Sequence, residues 1–123
     1  MRLGEDPRFA AAIELFNRGE FFDASEGFED LFFEAVRDEV AVARAMLQVS
    51  VGCVHAERGQ RRAAMERLEE ALIAIDAITE DHGIDVAALR IDIAEIIACV
   101  GAHTKLRWPT VSFRMPSRAD PEV

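Results

Sequence analysis

Five side chains in this sequence have the types and spacing to do chemistry together. Glu26 and Glu29 stand three apart, and Arg44, Gln48 and His55 follow at intervals of four and seven. On a helix turning ~100° per residue the first two share a flank, and the last three fall within about 40° of arc. A carboxylate beside an imidazole can exchange protons near neutrality, so Glu26 with His55 is an acid/base candidate. The same side chains are also ligand types for a divalent metal in a helical bundle, but such sites draw several Glu and Glu-x-x-His pairs from four helices. Here there is one such cluster, Glu26-x-x-Glu29 lacks a following His, and Arg44 would repel a cation. No metal and no cofactor is expected.

These residues need elements to position them. Val40 to Ala56 is small and apolar apart from Arg44, Gln48, Ser50 and His55, the pattern of a central helix buried on most sides. Before it, Phe21, Ala24, Phe28, Leu31, Phe32 and Ala35 make a core-facing stripe, which predicts a helix from about Phe21 to Val36. Glu26 and Glu29 lie off that stripe beside Phe22, Phe33 and Val36, whereas Asp23, Asp30 and Glu34 point away, so the two glutamates are expected to be partly buried. Buried carboxylates are costly without a cation or strong donors. The two polar stripes are therefore expected to face each other, as a hydrogen-bonded network that specifies the fold, as a wet groove edge or, less simply, as a catalytic or ligand site.

Three further helices complete the pattern. Asp6 caps a first helix beginning at Pro7 and running through Phe9, Ala12, Ile13 and Phe16 to Gly19. Gly59 closes the central helix. A fourth runs from Gln60 to Thr79 on Ala64, Leu68, Ala71, Leu72, Ile75 and Ile78. Asp85 caps a fifth through Val86, Leu89, Ile93, Ile96, Ile97 and Val100, which Gly101 ends. The fold class expected is all-α, a compact bundle of about five helices built from helix hairpins. Residues 1–102 form the bundle and residues 103–123 an extended C-terminal tail.

At 123 residues, half of them hydrophobic, the chain suffices for one core. A net charge of −9 argues against nucleic acid as a partner. No apolar signal core opens the sequence and no run is long enough to span a membrane, so a soluble, cytoplasmic protein is expected. Cys53 and Cys99 sit within apolar helical patterns as buried thiols. His82 and His103 fall in loops, without a role.

Two internal features go further. After Gly19, Ala24, Phe28 and Leu31 stand at offsets that Ala64, Leu68 and Ala71 repeat after Gly59, and Ala12 and Gly52 precede those glycines by seven. This spacing of forty is similar to the helix hairpins of tetratricopeptide repeats, without being a true array. It predicts that Gly52 sits at a close helix crossing.

The second feature is a pair of motifs. Phe22-Asp23-Ala24-Ser25-Glu26-Gly27-Phe28-Glu29-Asp30-Leu31-Phe32 follows an aromatic-x-Ala-His-Glu-x-x-Glu-x-x-Trp pattern, with Ser25 for His and Phe32 for Trp. Ala45-Met46-Leu47-Gln48, His55 and Gly59-Gln60 follow a second pattern of a Gln-ended start, a His and a glycine turn. From about Phe9 to Ile78 the chain thus resembles the domain of unknown function 309 family. The resemblance implies a compact helical fold and brings no established reaction.

Two function classes follow. One is a protein-interaction or scaffold module, working through a protein partner or self-association as a homo-oligomer. The other is a small-ligand-binding or hydrolytic protein using a Glu26, Glu29, Arg44 and His55 cluster, with or without a metal, in a candidate polar cluster that also includes Gln48. The tail from His103 to Arg118 mixes Lys105, Arg107, Arg114 and Arg118 with Trp108, Val111, Phe113 and Met115. Trp108 to Phe113 is expected to pack as an extended strap on the acidic region from Glu20 to Glu39, in the same chain or in a second subunit, the alternative being a loose tail that binds a partner.

Overall fold

The computed structural model describes residues 1–114. A short 3-10 turn, Leu3–Glu5, precedes five α-helices: α1 (Pro7–Asn17), α2 (Phe21–Glu34), α3 (Glu39–Glu57), α4 (Arg61–Asp76) and α5 (Val86–Ala102). Each helix packs against the next in sequence. Among the described residues the β structure is one isolated antiparallel bridge between Ile84 and Phe113. This is the all-α hairpin bundle that the periodicity predicts, and α3 is its buried axis, with ten buried residues.

The two hairpin turns are built alike. Gly19 and Gly59 both take positive φ, 81° and 71°. Glu20 N–H donates to Leu15 carbonyl oxygen at 2.9 Å, and Gln60 N–H to that of His55, also at 2.9 Å. A glycine is needed at each turn because a side chain resists the left-handed conformation. Both crossings pass through small residues. A Cβ placed on Gly27 would lie 3.2 Å from Ala12 Cβ, and one placed on Gly52 would lie 2.8 Å from Leu68 Cγ and Cδ2. The repeat of forty seen in the sequence is therefore a repeat of turn and crossing.

Caps and ends differ in detail. Asp6 and Asp85 do cap, accepting from Arg8 N–H at 2.9 Å and Ala88 N–H at 3.1 Å. Three helix ends move. α2 stops at Glu34 because Ala35 is already extended at ψ 143°, and α4 stops at Asp76 rather than near Thr79. α5 runs through Gly101, and His103 takes the left-handed position at φ 59°.

The segment after α5 folds back along the body. Val111 is buried, Phe113 meets Phe9 edge to face at 5.5 Å between centroids, and Trp108 lies 5.4 Å from Phe21. Asp85 N–H donates to Ser112 and Arg114 N–H to Gly83, at 2.9 and 2.7 Å. The expected strap forms within the chain, but its seat is different. It lies on α1 and the loop before α5, and of the acidic region it meets Phe21, because its apolar side chains find the open edge of the core rather than the charged surface. Met115, Pro116 and Arg118, expected in the same tail, lie outside the described residues.

Candidate functional site

The α2–α3 pair positions all five residues singled out above, and it separates them. The buried side of α2 is Phe21, Ala24, Ser25, Phe28 and Leu31. Glu26 projects roughly 180° from the middle of that set, with Glu29 about 60° from Glu26. Both glutamates are exposed. Arg44 is exposed too, its guanidinium carbon 5.4 Å from the centroid of Phe32. Half-buried Gln48 turns to α4 and accepts from Arg67 Nη1 at 3.4 Å. His55 turns to the α3–α4 joint, where Nδ1 lies 2.6 Å from Gln60 Oε1. An amide oxygen only accepts, so that ring nitrogen carries the proton.

Among the described residues no hydrogen bond or ion pair links Glu26 or Glu29 to Arg44, Gln48 or His55. The expectation of two facing, partly buried stripes is corrected. Its error was to bury Phe22 and Phe33. These rings are 52% and 76% exposed, and Val36 beyond them is 60% exposed. Carboxylates beside exposed rings need no buried cation, and so none is provided. The available signal was the charge pattern: Asp23, Glu26, Glu29, Asp30 and Glu34 together cover one continuous arc of α2, which is its wet side.

What results is an outward face with its own composition. Phe22, Glu26, Glu29 and Phe33 occupy i, i+4, i+7 and i+11, a row within ~60° of arc and about 16 Å long. Phe32 and Phe33 stand 6.2 Å apart at one end, with Arg44 over the former. Val36 continues this side, whereas other large exposed side chains stand apart. Ile73, for example, stands among Gln48, Glu66, Arg67, Glu69 and Glu70. Lone apolar side chains of that kind are ordinary on protein surfaces. A row with two aromatic rings on one helix face is not.

His82 carries no signal in the sequence beyond its place in a loop. It is buried, holds φ at 49°, and brings Nε2 to 2.9 Å from Asp38 Oδ1, tying the loop before α5 to the α2–α3 joint. At the same joint the Glu39 carboxylate accepts from Leu3 N–H at 3.0 Å and Val36 N–H at 3.1 Å. No periodicity marks such contacts, which depend on how distant loops meet. Among the described residues no three His, Cys, Asp or Glu side chains gather as a metal-holding group. No helix of those residues is long and apolar enough to cross a membrane.

The hairpin stack and this face define a small all-α protein without an assembled catalytic set among the five candidates. Residues 9–67 match the model of a family described as Domain of unknown function (DUF309). The matched stretch runs from α1 through the first half of α4 and includes the Phe22–Phe32 and Ala45–Gln60 segments. No curated protein matches the chain.

Proposed function

We propose that the protein is a protein-interaction module and that the outward face of α2 is its contact surface. The observation that supports this most is the exposure of Phe22 and Phe33 on one helix face, where each ring forgoes a half or more of the about 1.5–3 kcal/mol that full burial brings. Aromatic side chains at the centre of an interface recover such energy, and they are enriched where binding energy concentrates. The tetratricopeptide-like hairpin geometry fits the same reading, since stacked hairpins make rigid platforms. Free cysteines at 53 and 99 fit a reducing, cytoplasmic setting.

A photo-crosslinking amino acid at position 33, compared with one at exposed Glu66, tests the reading in cells. One discrete adduct from position 33, lost on adding Phe22→Ser and absent from position 66, is the expected outcome. Equal cross-linking from both positions would remove α2 as the contact surface.

A further inference from the structure

We infer that the outward face of α2 docks a helical segment of another protein that carries paired basic residues between two apolar anchors. This rests on the interaction-module reading and adds the chemistry of the partner. Every charged residue of α2 is acidic. Of these, Glu34 is engaged by Arg8, whereas Asp23, Glu26, Glu29 and Asp30 have no ion-pair partner among the described residues. Arg44 is placed over Phe32 rather than over a carboxylate. A partner that covered Phe22 and Phe33 would desolvate Glu26 and Glu29 between them. It must therefore bring cations to that point, or the burial of the rings is opposed by stranded charge.

A second copy of the chain does not meet this need. In the antiparallel register that sets Phe22 of one α2 against Phe33 of the other copy, paired residue numbers sum to 55 and Glu26 falls against Glu29. Packed parallel, each glutamate meets itself. In both orientations the rings match and the carboxylates collide, so the face discriminates against self-association while keeping its apolar ends.

The spacing also fixes the complement. The intervals 4, 3 and 4 read the same in both directions, so an apolar–Lys–Lys–apolar row at i, i+4, i+7 and i+11 matches the face in either orientation.

The probe is an alanine-rich helical peptide of about 20 residues with Leu, Lys, Lys and Leu at those positions, and a control with Glu replacing both Lys. Titrations monitored by amide chemical shifts use the full chain, its Glu26→Lys/Glu29→Lys variant and its Phe22→Ser/Phe33→Ser variant. All substitutions are on exposed positions, and circular dichroism confirms each fold. The lysine peptide is expected to bind the wild type at least about tenfold more tightly than the control, with shifts confined to α2 and affinity falling as salt rises. The double-lysine variant is expected to invert the preference, and the double-serine variant to lose both peptides. Equal binding of the two peptides that still needs Phe22 and Phe33 would overturn the basic partner and leave the contact surface standing. Binding of neither peptide, a preference that does not invert, or a wild-type dimer in sedimentation that the serine variant abolishes would each overturn the inference.

Discussion

The side-chain amide of Asn17 holds both backbone groups of Val111, 94 residues away: Nδ2 donates to the carbonyl at 2.8 Å and Oδ1 accepts from the N–H at 2.7 Å. One residue at the end of α1 thus stands in for the strand that the returning segment lacks. Asn17→Ala removes both bonds and leaves two part-buried backbone groups unpaired, a cost of about 1–3 kcal/mol. Asn17→Asp keeps the acceptor but turns the donor into an oxygen facing a carbonyl, and is expected to be no better. Urea unfolding followed by Trp108 fluorescence measures the loss, and an unchanged midpoint would show that the two Asn17 bonds add nothing to the fold.

A Cβ at position 52 would meet Leu68 Cγ and Cδ2 at 2.8 Å, so the buried Leu68 side chain would have to shift. Gly52→Ala gains about 1 kcal/mol of helix propensity and loses about 1–3 kcal/mol to overpacking, so a net destabilisation is expected. Gly52→Leu should cost at least the full overpacking amount. The decisive comparison is Gly52→Ala in a Leu68→Ala background. With the Leu68 side chain gone the substitution should become neutral or favourable, and additive effects in the two backgrounds would place the strain elsewhere.

Cys53 is buried among apolar groups, and that burial, with the Glu57 charge second, pushes its thiol well above the ordinary value. Cys99 is half-buried and lines a hollow of about 240 Å³ with Arg61, His103 and Leu106. A thiol reagent near neutral pH is expected to modify Cys99 in the native protein and Cys53 only when the protein unfolds. Mass spectrometry of partly labelled protein gives the order, and early label on Cys53 would show that α3 opens locally.

How much of this was legible in the sequence depends on the kind of contact. Phe21, Ala24, Phe28 and Leu31 on α2, the ten buried residues of α3 and the glycine turns at 19 and 59 follow from period and backbone chemistry, which are local. The face of Glu26 and Glu29 is less legible, because Phe22 and Phe33 are core types by residue yet stand on the most acidic flank of the helix. His82 with Asp38, Glu39 with Leu3, and Asn17 with Val111 join loops and ends remote in sequence, and no spacing rule reaches them.

Arg8 bridges Asp6 and Glu34 at 2.8 and 2.7 Å, tying the start of α1 to the end of α2. Hydrogen bonding from its guanidinium lowers both carboxyl groups from their ordinary values of 3.8 and 4.5. A carboxyl lowered by folding adds stability that is fully present above its unfolded value and is lost as pH falls through its folded value. Arg8→Met keeps the apolar stem and removes the charge. The melting-temperature difference between wild type and variant is therefore expected to hold from about pH 7 to about pH 5 and to shrink toward about pH 2. A difference independent of pH would assign the effect of Arg8 to packing.

The separation of the two polar stripes yields the last expectation, and it reverses the one that their spacing suggested. Facing, desolvated partners would lose roughly 3–5 kcal/mol when one is truncated. Glu29 instead stands in water, and Arg44 spends its charge on the Phe32 ring. Glu29→Ala should therefore fall within about 0.5 kcal/mol of wild type, as exposed substitutions do. Arg44→Ala should lose about 0.5–1 kcal/mol of cation–π attraction together with the contact of its stem. Their double mutant should be additive within about 0.3–0.5 kcal/mol, whereas Arg44→Ala with Phe32→Leu should not be, because those two side chains touch. Strong coupling between Glu29 and Arg44, measured by denaturant unfolding, would restore the facing network and with it a buried acid on α2, and the outward row could then no longer serve as a contact surface with unpaired carboxylates at its centre.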